Sequence, residues 1–396
     1  MSNTRKHWKQ SALLLLVAAT AVVSGGYGSA GGYGGTARVY AESATQATSA
    51  AQSAATSSDD SAAKLKVTYA AENQKVKAGA RVFLRDKIKT SQPAILSYAI
   101  GNPAIARVES NGLVSGVKAG TTKVVITAES ASETVRITVP IEVTAAAVVA
   151  APKYASVKVT VSGKTYTVQT VTVPKGTPVT AGLANKTVGQ VQSLRGMATA
   201  YRADVAVNGT FFSAYSDPPV PYGNIISNGD VAHISNLGTT IGFRTDGTAV
   251  MDTLRIRTTT KRIAGKNDVT YEMTNDKGDS LSWGDVHTAI GAGPRLVVNG
   301  EVKINAEAEG FRDPKILTGG GARSGIGIQK DGSIIIATIS GATMKQWAAI
   351  MLKLGANQAM NLDGGASSGL LLKSKTITAE GRLLSNALLF GSELKY

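Results

Sequence analysis

The sequence predicts a multidomain chain: a small all-β sandwich followed by a larger, sheet-rich α+β domain. Three observations lead there. The 396 residues are enough for two or three domains with at least one sizeable core. Between residues 64 and 140 the chain is a succession of short alternating apolar and polar runs with no helical period. Beyond residue 157 the same rhythm of strand and turn resumes, now interrupted by two segments with helical spacing.

Taken in order, residues 1–41 read as a signal peptide or N-terminal anchor. Arg5, Lys6 and Lys9 precede an apolar run from Ala12 to Val23 that is short for an ordinary membrane span. Small residues before Ala30 and Ala41 suit processing, and membrane association is expected only if this segment stays attached. Residues 42–63 are rich in Ala, Ser and Thr and read as a disordered linker. The chain has no cysteine, so neither disulfides nor a lipid-modified cysteine contribute, and stability must come from packed cores and hydrogen bonds. A cysteine-free chain with an export-like start is expected in a bacterial secretion or cell-surface setting. The formal charge of +15 falls to +11 by the same count without residues 1–41. Such a basic surface favours an anionic partner, a cell-surface or wall glycan among them. Nucleic acid is not expected, because there is no basic helix, zinc-finger spacing or aromatic stacking motif.

Residues 64–140 carry the runs LKVTYA, ARVFL, AILSYAI, TTKVVITA and TVRITVP, with turns at Asn102–Pro103 and Asn111–Gly112. This is the pattern of a sandwich whose sheets bury one face. Residues 141–156 read as a linker. The domain at 157–396 alternates strands with Asn-Gly and Asp-Gly turns. Residues 187–202 are expected to form a first helix. Residues 343–354 form a stronger one: Met344, Trp347, Ile350, Met351 and Leu354 share a face, Thr343 caps the start and Gly355 marks the end.

That second helix leads into MNLDGGASSG at 360–369, the most informative stretch of the chain. An apolar strand ends in one carboxylate, two glycines and small hydroxyl residues, which describes a sharp turn presenting Asp363. Far upstream, VAVNGTFFS at 205–213 is another apolar strand opening into an Asn-Gly turn. Two such junctions in one domain point to an enzyme pocket. Asp363 is the expected catalytic carboxylate. Arg323, in GGGARSGIGI, is expected to clamp a phosphate. Arg295, in GPRLV, is a second basic candidate, or belongs to a tight bend. Asn208 is grouped with Asp363 and Arg323 in the expected catalytic set and Asn361 with the substrate-binding residues; both sit at strand ends, where their amides can recognise hydroxyls or hold a loop. Gly209, Gly364 and Gly365 shape the backbone of the substrate-binding turns. Asp285, His287 and Glu309 are the candidates for a second acid or base, with Glu301 and Asp313 in the same domain. His287 also fits a structural role.

The runs VNGTFF at 207–212, GAGPRLVVNGEV at 291–302, ARSGIGIQKDGSIIIATISG at 322–341, the 341–369 segment and GRLLSNAL at 381–388 resemble, in order and spacing, a phosphodiester glycosidase domain. The run NPAIARVESNGLVSGVKAGTTKVVITA at 102–128 resembles a bacterial Ig-like group 2 domain. The first resemblance implies hydrolysis of a sugar-1-phosphodiester at the anomeric carbon, and the second a spacer or surface-binding module. The chain departs from the family pattern at Thr210, at Ile339–Ser340–Gly341 and at GASSG. No cofactor is predicted and no metal motif is present, a divalent cation beside Asp363 being the alternative. Two other readings compete: a noncatalytic glycan-binding protein with a retained enzyme fold, and a phosphodiesterase acting on teichoic-acid-like polymers.

Overall fold

The fold is built almost entirely from antiparallel strands, as a chain rich in Val, Ile and Thr and punctuated by tight turns requires. The computed structural model describes residues 64–396, so the expectations for the signal segment and for the linker at 42–63 lie outside the described residues. No helix among the described residues is long and apolar enough to cross a membrane.

The first module is a sandwich. One sheet orders the strands Gln74–Lys77, Thr134–Thr144, Gly120–Glu129 and Ile95–Ile100; the other orders Arg81–Phe83, Leu113–Gly116 and Ala106–Val108. Alternation decides which residues face inward: Val124, Ile126 and Ala128 are fully buried while Lys123, Val125 and Thr127 between them are not. With Val139, Ile141 and Val143 from the neighbouring strand they form the module's core. The expected linker at 141–156 is shorter in the structure, because strand pairing continues to Thr144 and resumes at Lys153.

The second module folds three sheets around one core. A seven-stranded sheet includes Gly321–Gln329 flanked by Ile334–Ala342 and Ala356–Asn361, with Arg295–Val298 beyond. A five-stranded sheet sets Val205–Asn208 between Leu370–Leu372 and Asn386–Phe390. A second five-stranded sheet has Val286–Ala292 at its centre. Val171, Val207, Ile241, Ile290, Ile326, Met360, Leu362 and Leu388, drawn from all three, meet in the same buried cluster. Each such side chain contributes about 1.5–3 kcal/mol relative to exposure.

Helices cover the outer faces. The helix Met344–Lys353 lays Trp347, Ile350 and Met351 on the seven-stranded sheet. It is stopped at its start by the expected cap, made reciprocal: the Thr343 hydroxyl accepts from Gln346 N, and the Gln346 side chain accepts from Thr343 N. The other expected helix is shorter than its pattern, covering Leu194–Ala200 rather than 187–202. Ser193 caps it by accepting from Gly196 N, and Gly189 upstream has φ +83°, a conformation that a helix cannot contain.

Candidate active site

Two strands from different sheets end at one place. At the end of the 205–208 strand, Asn208 donates from Nδ2 to the Asp363 carbonyl at 2.7 Å, and its Oδ1 accepts from Gly369 N at 3.1 Å. One amide therefore ties both ends of the loop that follows the 356–361 strand. The Asp363 amide returns the contact, donating to Gly209 O at 3.1 Å. With 1 % of its surface exposed, Asn208 positions the loop and is not offered to a ligand, which corrects its expected catalytic assignment.

The glycines are needed for different reasons. A Cβ on Gly209 would lie 1.9 Å from Asn386 Oδ1, the atom that accepts from Thr210 N. Gly364 passes over the neighbouring strand, where a Cβ would lie 2.8 Å from Ala322 O. Gly365 faces open space but has φ +61°, so conformation and not crowding calls for glycine.

Asp363 is pushed up from the usual carboxylate range to about 6, chiefly by burial. Ser367, the Gly364 amide and the positive charge of Arg382 act in the opposite direction. The cation that bears on this carboxylate is thus Arg382. Arg382 lines a pocket of about 380 Å³ together with Phe212, Tyr215, Ala366 and Leu383. Its guanidinium lies 5.6 Å from the centre of the Tyr215 ring, and Tyr215 is 95 % exposed. The pocket meets the Asp363 loop at Ala366, whose carbonyl accepts from Gly381 N at 2.7 Å. Around the loop, Thr210 Oγ1, Ser324 Oγ, Asn361 Oδ1 and Ser368 Oγ are buried with no hydrogen-bond partner among the described residues. Buried polar atoms are rarely left so, and a cluster of them marks a place where a polar ligand or water completes the bonding.

The expected phosphate clamp is not one. The Arg323 guanidinium is 4 % exposed and donates from Nε to Ala342 O and from Nη2 to Lys315 O and Gly319 O, at 2.7–3.0 Å. It binds the short helix Pro314–Leu317 to the sheet, and burial lowers its pKa. Arg295 is committed likewise, donating to Val297 O, Met251 O and the Gln358 side chain. Asn361 donates to Gly293 O and Leu362 O and is fully buried, so it holds the corner with its Nδ2 while its Oδ1 stays unpaired.

Of the second acid or base candidates, only Glu309 comes near the junction. Its Oε2 lies 2.9 Å from where a Gly293 Cβ would be, and Gly293 N donates to Asn361 O. Both its carboxylate oxygens are occupied, by Arg295 N and the Thr239 hydroxyl, and burial raises its pKa. Asp285 and His287 belong elsewhere. Asp285 faces Asp86 of the first module. His287 lies six residues, roughly 20 Å, before Gly293 along an extended strand. Its Nδ1 is 2.8 Å from Arg81 Nη1, and burial, helped by the Arg81 charge, drives its pKa well below the usual value. A neutral imidazole facing the other module is no general acid for Asp363. Arg382 and Asn386 are the residues that sequence reasoning did not single out, although both stand in the quoted run GRLLSNAL. Glu301 is exposed on a strand of two residues, and Asp313 caps the 314–317 helix. No group of three or more His, Asp or Glu side chains among the described residues is arranged to hold a metal ion.

Comparison with known proteins agrees with this architecture. Residues 201–391 match the phosphodiester glycosidase family, and residues 68–139 match the bacterial Ig-like domain, group 2. No curated protein matches the chain. Among solved structures, a hypothetical protein from Synechocystis is similar at 19% identity with a TM-score of 0.52, over 76% of either chain. The catalytic domain of zebrafish N-acetylglucosamine-1-phosphodiester alpha-N-acetylglucosaminidase, auto-inhibited by its pro-peptide, is 16% identical with a TM-score of 0.48, over 70% of this chain and 89% of that one.

Proposed function

We propose, from the place of residues 201–391 in the phosphodiester glycosidase family and of an Ig-like group 2 module before them, that the chain is a hydrolase of phosphodiester-linked sugars. It cleaves at the anomeric carbon, releasing a free sugar and a phosphomonoester. N-acetylglucosamine-1-phosphodiesters on a wall or extracellular glycan are the substrates to try first. The observation that carries this reading is a single desolvated carboxylate, Asp363, in a loop ringed by unpartnered polar atoms and faced by Arg382.

The chemistry suits that equipment. A phosphodiester is already an acidic leaving group, so the reaction needs little protonation of the departing oxygen. It needs stabilisation of positive charge developing on the sugar ring and removal of a proton from the attacking water. An ionised Asp363 supplies both. Arg382 offers a planar fork of N–H donors to the phosphodiester, the role first expected of Arg323. Tyr215 gives the sugar an apolar face to lie on, while the buried hydroxyls and Asn361 Oδ1 stand behind the loop, where water completes their bonding. Asn208 and Asn386 hold the two turns in place. One carboxylate among neutral amides is a poor donor set for a hard cation, so turnover is expected to survive a chelator. The basic sequence, the Ig-like module and the export-like segment at 5–23 support an extracellular or cell-surface address.

The test is to challenge the purified protein with sugar-1-phosphodiesters and identify both products by mass spectrometry. Free sugar with a phosphomonoester supports the reading. A sugar phosphate with the glycosidic bond intact would replace it with a phosphodiesterase, and tight binding without products with a glycan-binding protein.

A further inference from the structure

The hairpin of strands Arg255–Ile263 and Lys266–Thr274 joins no larger sheet, and nothing in the chemistry above uses it. The two strands pair along their whole length. Only the root is packed: Ile256, 4 % exposed, and Met273 opposite it lie against the cluster that holds Trp283. The tip touches the first module through Lys266 and Glu129. Between root and tip, every residue from Arg257 to Arg262 is exposed, as are Val269 and Tyr271 across the ribbon. A two-stranded ribbon with so little packing adds little stability in water, so the fold does not explain its length.

Register sorts the exposed side chains onto two unlike faces. On one, Arg257 stands opposite Glu272 and Lys261 opposite Asp268, which balances charge across the strands. On the other, Thr258 stands opposite Tyr271, Thr260 opposite Val269 and Arg262 opposite Asn267. That second face carries an aromatic ring, two hydroxyls, an amide and one cation, with no carboxylate. Arg262 forms no ion pair among the described residues. Three residue pairs of a two-stranded ribbon cover about 200 Å², against roughly 800 Å² that each partner gives to a stable protein interface. The strip is too small for a folded partner and suits one extended polymer chain. An aromatic ring beside hydroxyl and amide groups suits a sugar, and the unpaired cation calls for a negative charge on the same chain.

We propose that the Thr258–Tyr271 face of this ribbon binds one chain of an anionic glycan, on a strip that shares no residue with the Arg382 pocket. Tyr271 takes a sugar ring, Thr258, Thr260 and Asn267 exchange hydrogen bonds with its hydroxyl groups, and Arg262 meets the anion. That anion is the phosphodiester between successive sugars; this choice, unlike the strip, rests on the proposed function. Holding a repeating chain on the strip raises the concentration of its linkages at the enzyme domain.

Calorimetric titration with poly(N-acetylglucosamine 1-phosphate) at low salt tests this, in a protein carrying Asp363→Asn and Arg382→Gln so that the pocket neither cleaves nor holds the chain. Binding is expected. Adding Tyr271→Ser with Arg262→Ser should weaken it at least tenfold, whereas adding Arg257→Ser, on the opposite face, should change it less than twofold. A neutral oligomer of N-acetylglucosamine should bind at least tenfold more weakly than the polymer, and chloride should weaken polymer binding. No polymer binding, binding undiminished by the paired substitutions, an equal loss from Arg257→Ser, or equal binding of the neutral oligomer overturns the proposal. In the otherwise unaltered protein, Tyr271→Ser with Arg262→Ser should leave hydrolysis of a monomeric sugar-1-phosphodiester unchanged. The titration needs no turnover, so a failure of the hydrolase reading would leave its outcome standing.

Discussion

Asp363 is ionised at neutral pH only against the preference of its surroundings. Burial raises its pKa to about 6, so between pH 4 and 6 the folded chain holds a proton that the unfolded chain has lost. The unfolded state then binds fewer protons, and by linkage stability falls as pH rises through that window. Above pH 6 the whole difference is felt, on the order of 1–3 kcal/mol. Asp363→Asn removes it, so the variant should lose nearly all turnover while melting at a higher temperature at pH 7. Near pH 2.5, below the ordinary aspartate value as well as the raised one, the two proteins should melt alike. A variant that loses activity and stability together at pH 7 would show that Asp363 is only a structural member of the loop. The same carboxylate sets the acid limb of kcat/KM, which should fall below about pH 6 as Asp363 is protonated. Arg382 favours the ionised form, so Arg382→Gln should move that limb to higher pH as well as raise KM for a phosphodiester. An unmoved limb would detach Arg382 from the site.

At the scale of elements, the site depends on how the 314–317 helix is fastened to the seven-stranded sheet. Arg323 fastens it by satisfying three backbone carbonyls with two nitrogens. Arg323→Ala removes a donor from the buried Ala342 carbonyl and frees the carbonyls of Lys315 and Gly319 to water, a loss of about 1–3 kcal/mol. Denaturant titration should show it as a lower midpoint, with KM for the phosphodiester little changed in the protein that remains folded. A large, selective rise in KM would restore the phosphate role. The error in the first reading has a physical source. A glycine-rich run before a strand gives a real hint of anion binding, but which face of the strand an arginine takes depends on the elements packed there. Here the 314–317 helix, too short to announce itself, and the turn after it supply two of the three carbonyls. The 344–353 helix was legible because its apolar stripe and its Thr343–Gln346 cap are both local. So was the meeting of two turns, since each strand ends in residues that only a sharp bend explains. Arg382 and Asn386 were not legible as members of the site, because their partners lie about 170 or more residues away in sequence or across a pocket. His287 and Asp285 misled for the converse reason. Titratable residues in the right domain carry no sign of which end of a strand they occupy.

For the whole molecule, the question is whether the Ig-like module swings freely or is part of the enzyme's body. The seam argues for the second. Besides the Arg81–His287 contact, Asn111 Nδ2 donates to Asn228 O at 2.9 Å and to Asp230 Oδ1 at 2.7 Å, bridging one module's turn to the other's. Gly229, at φ +77°, passes so close to Phe83 that a Cβ would lie 2.8 Å from its ring. Lys266 reaches Glu129 at 2.6 Å, an exposed pair that adds little. Two hydrogen bonds of about 1 kcal/mol each, with the burial of Phe83, couple the modules by several kcal/mol. That is enough to merge two small-domain transitions into one. Differential scanning calorimetry should therefore give a single endotherm whose van't Hoff and calorimetric enthalpies agree. Asn111→Ala removes both turn-to-turn bonds, along with the one its Oδ1 accepts from Leu113 N inside the first module, so it should lower the melting temperature or split the transition. Two endotherms in the unaltered protein, each insensitive to Asn111→Ala, would mean that the module is a free spacer, and that its hold on the enzyme domain is no stronger than a linker's.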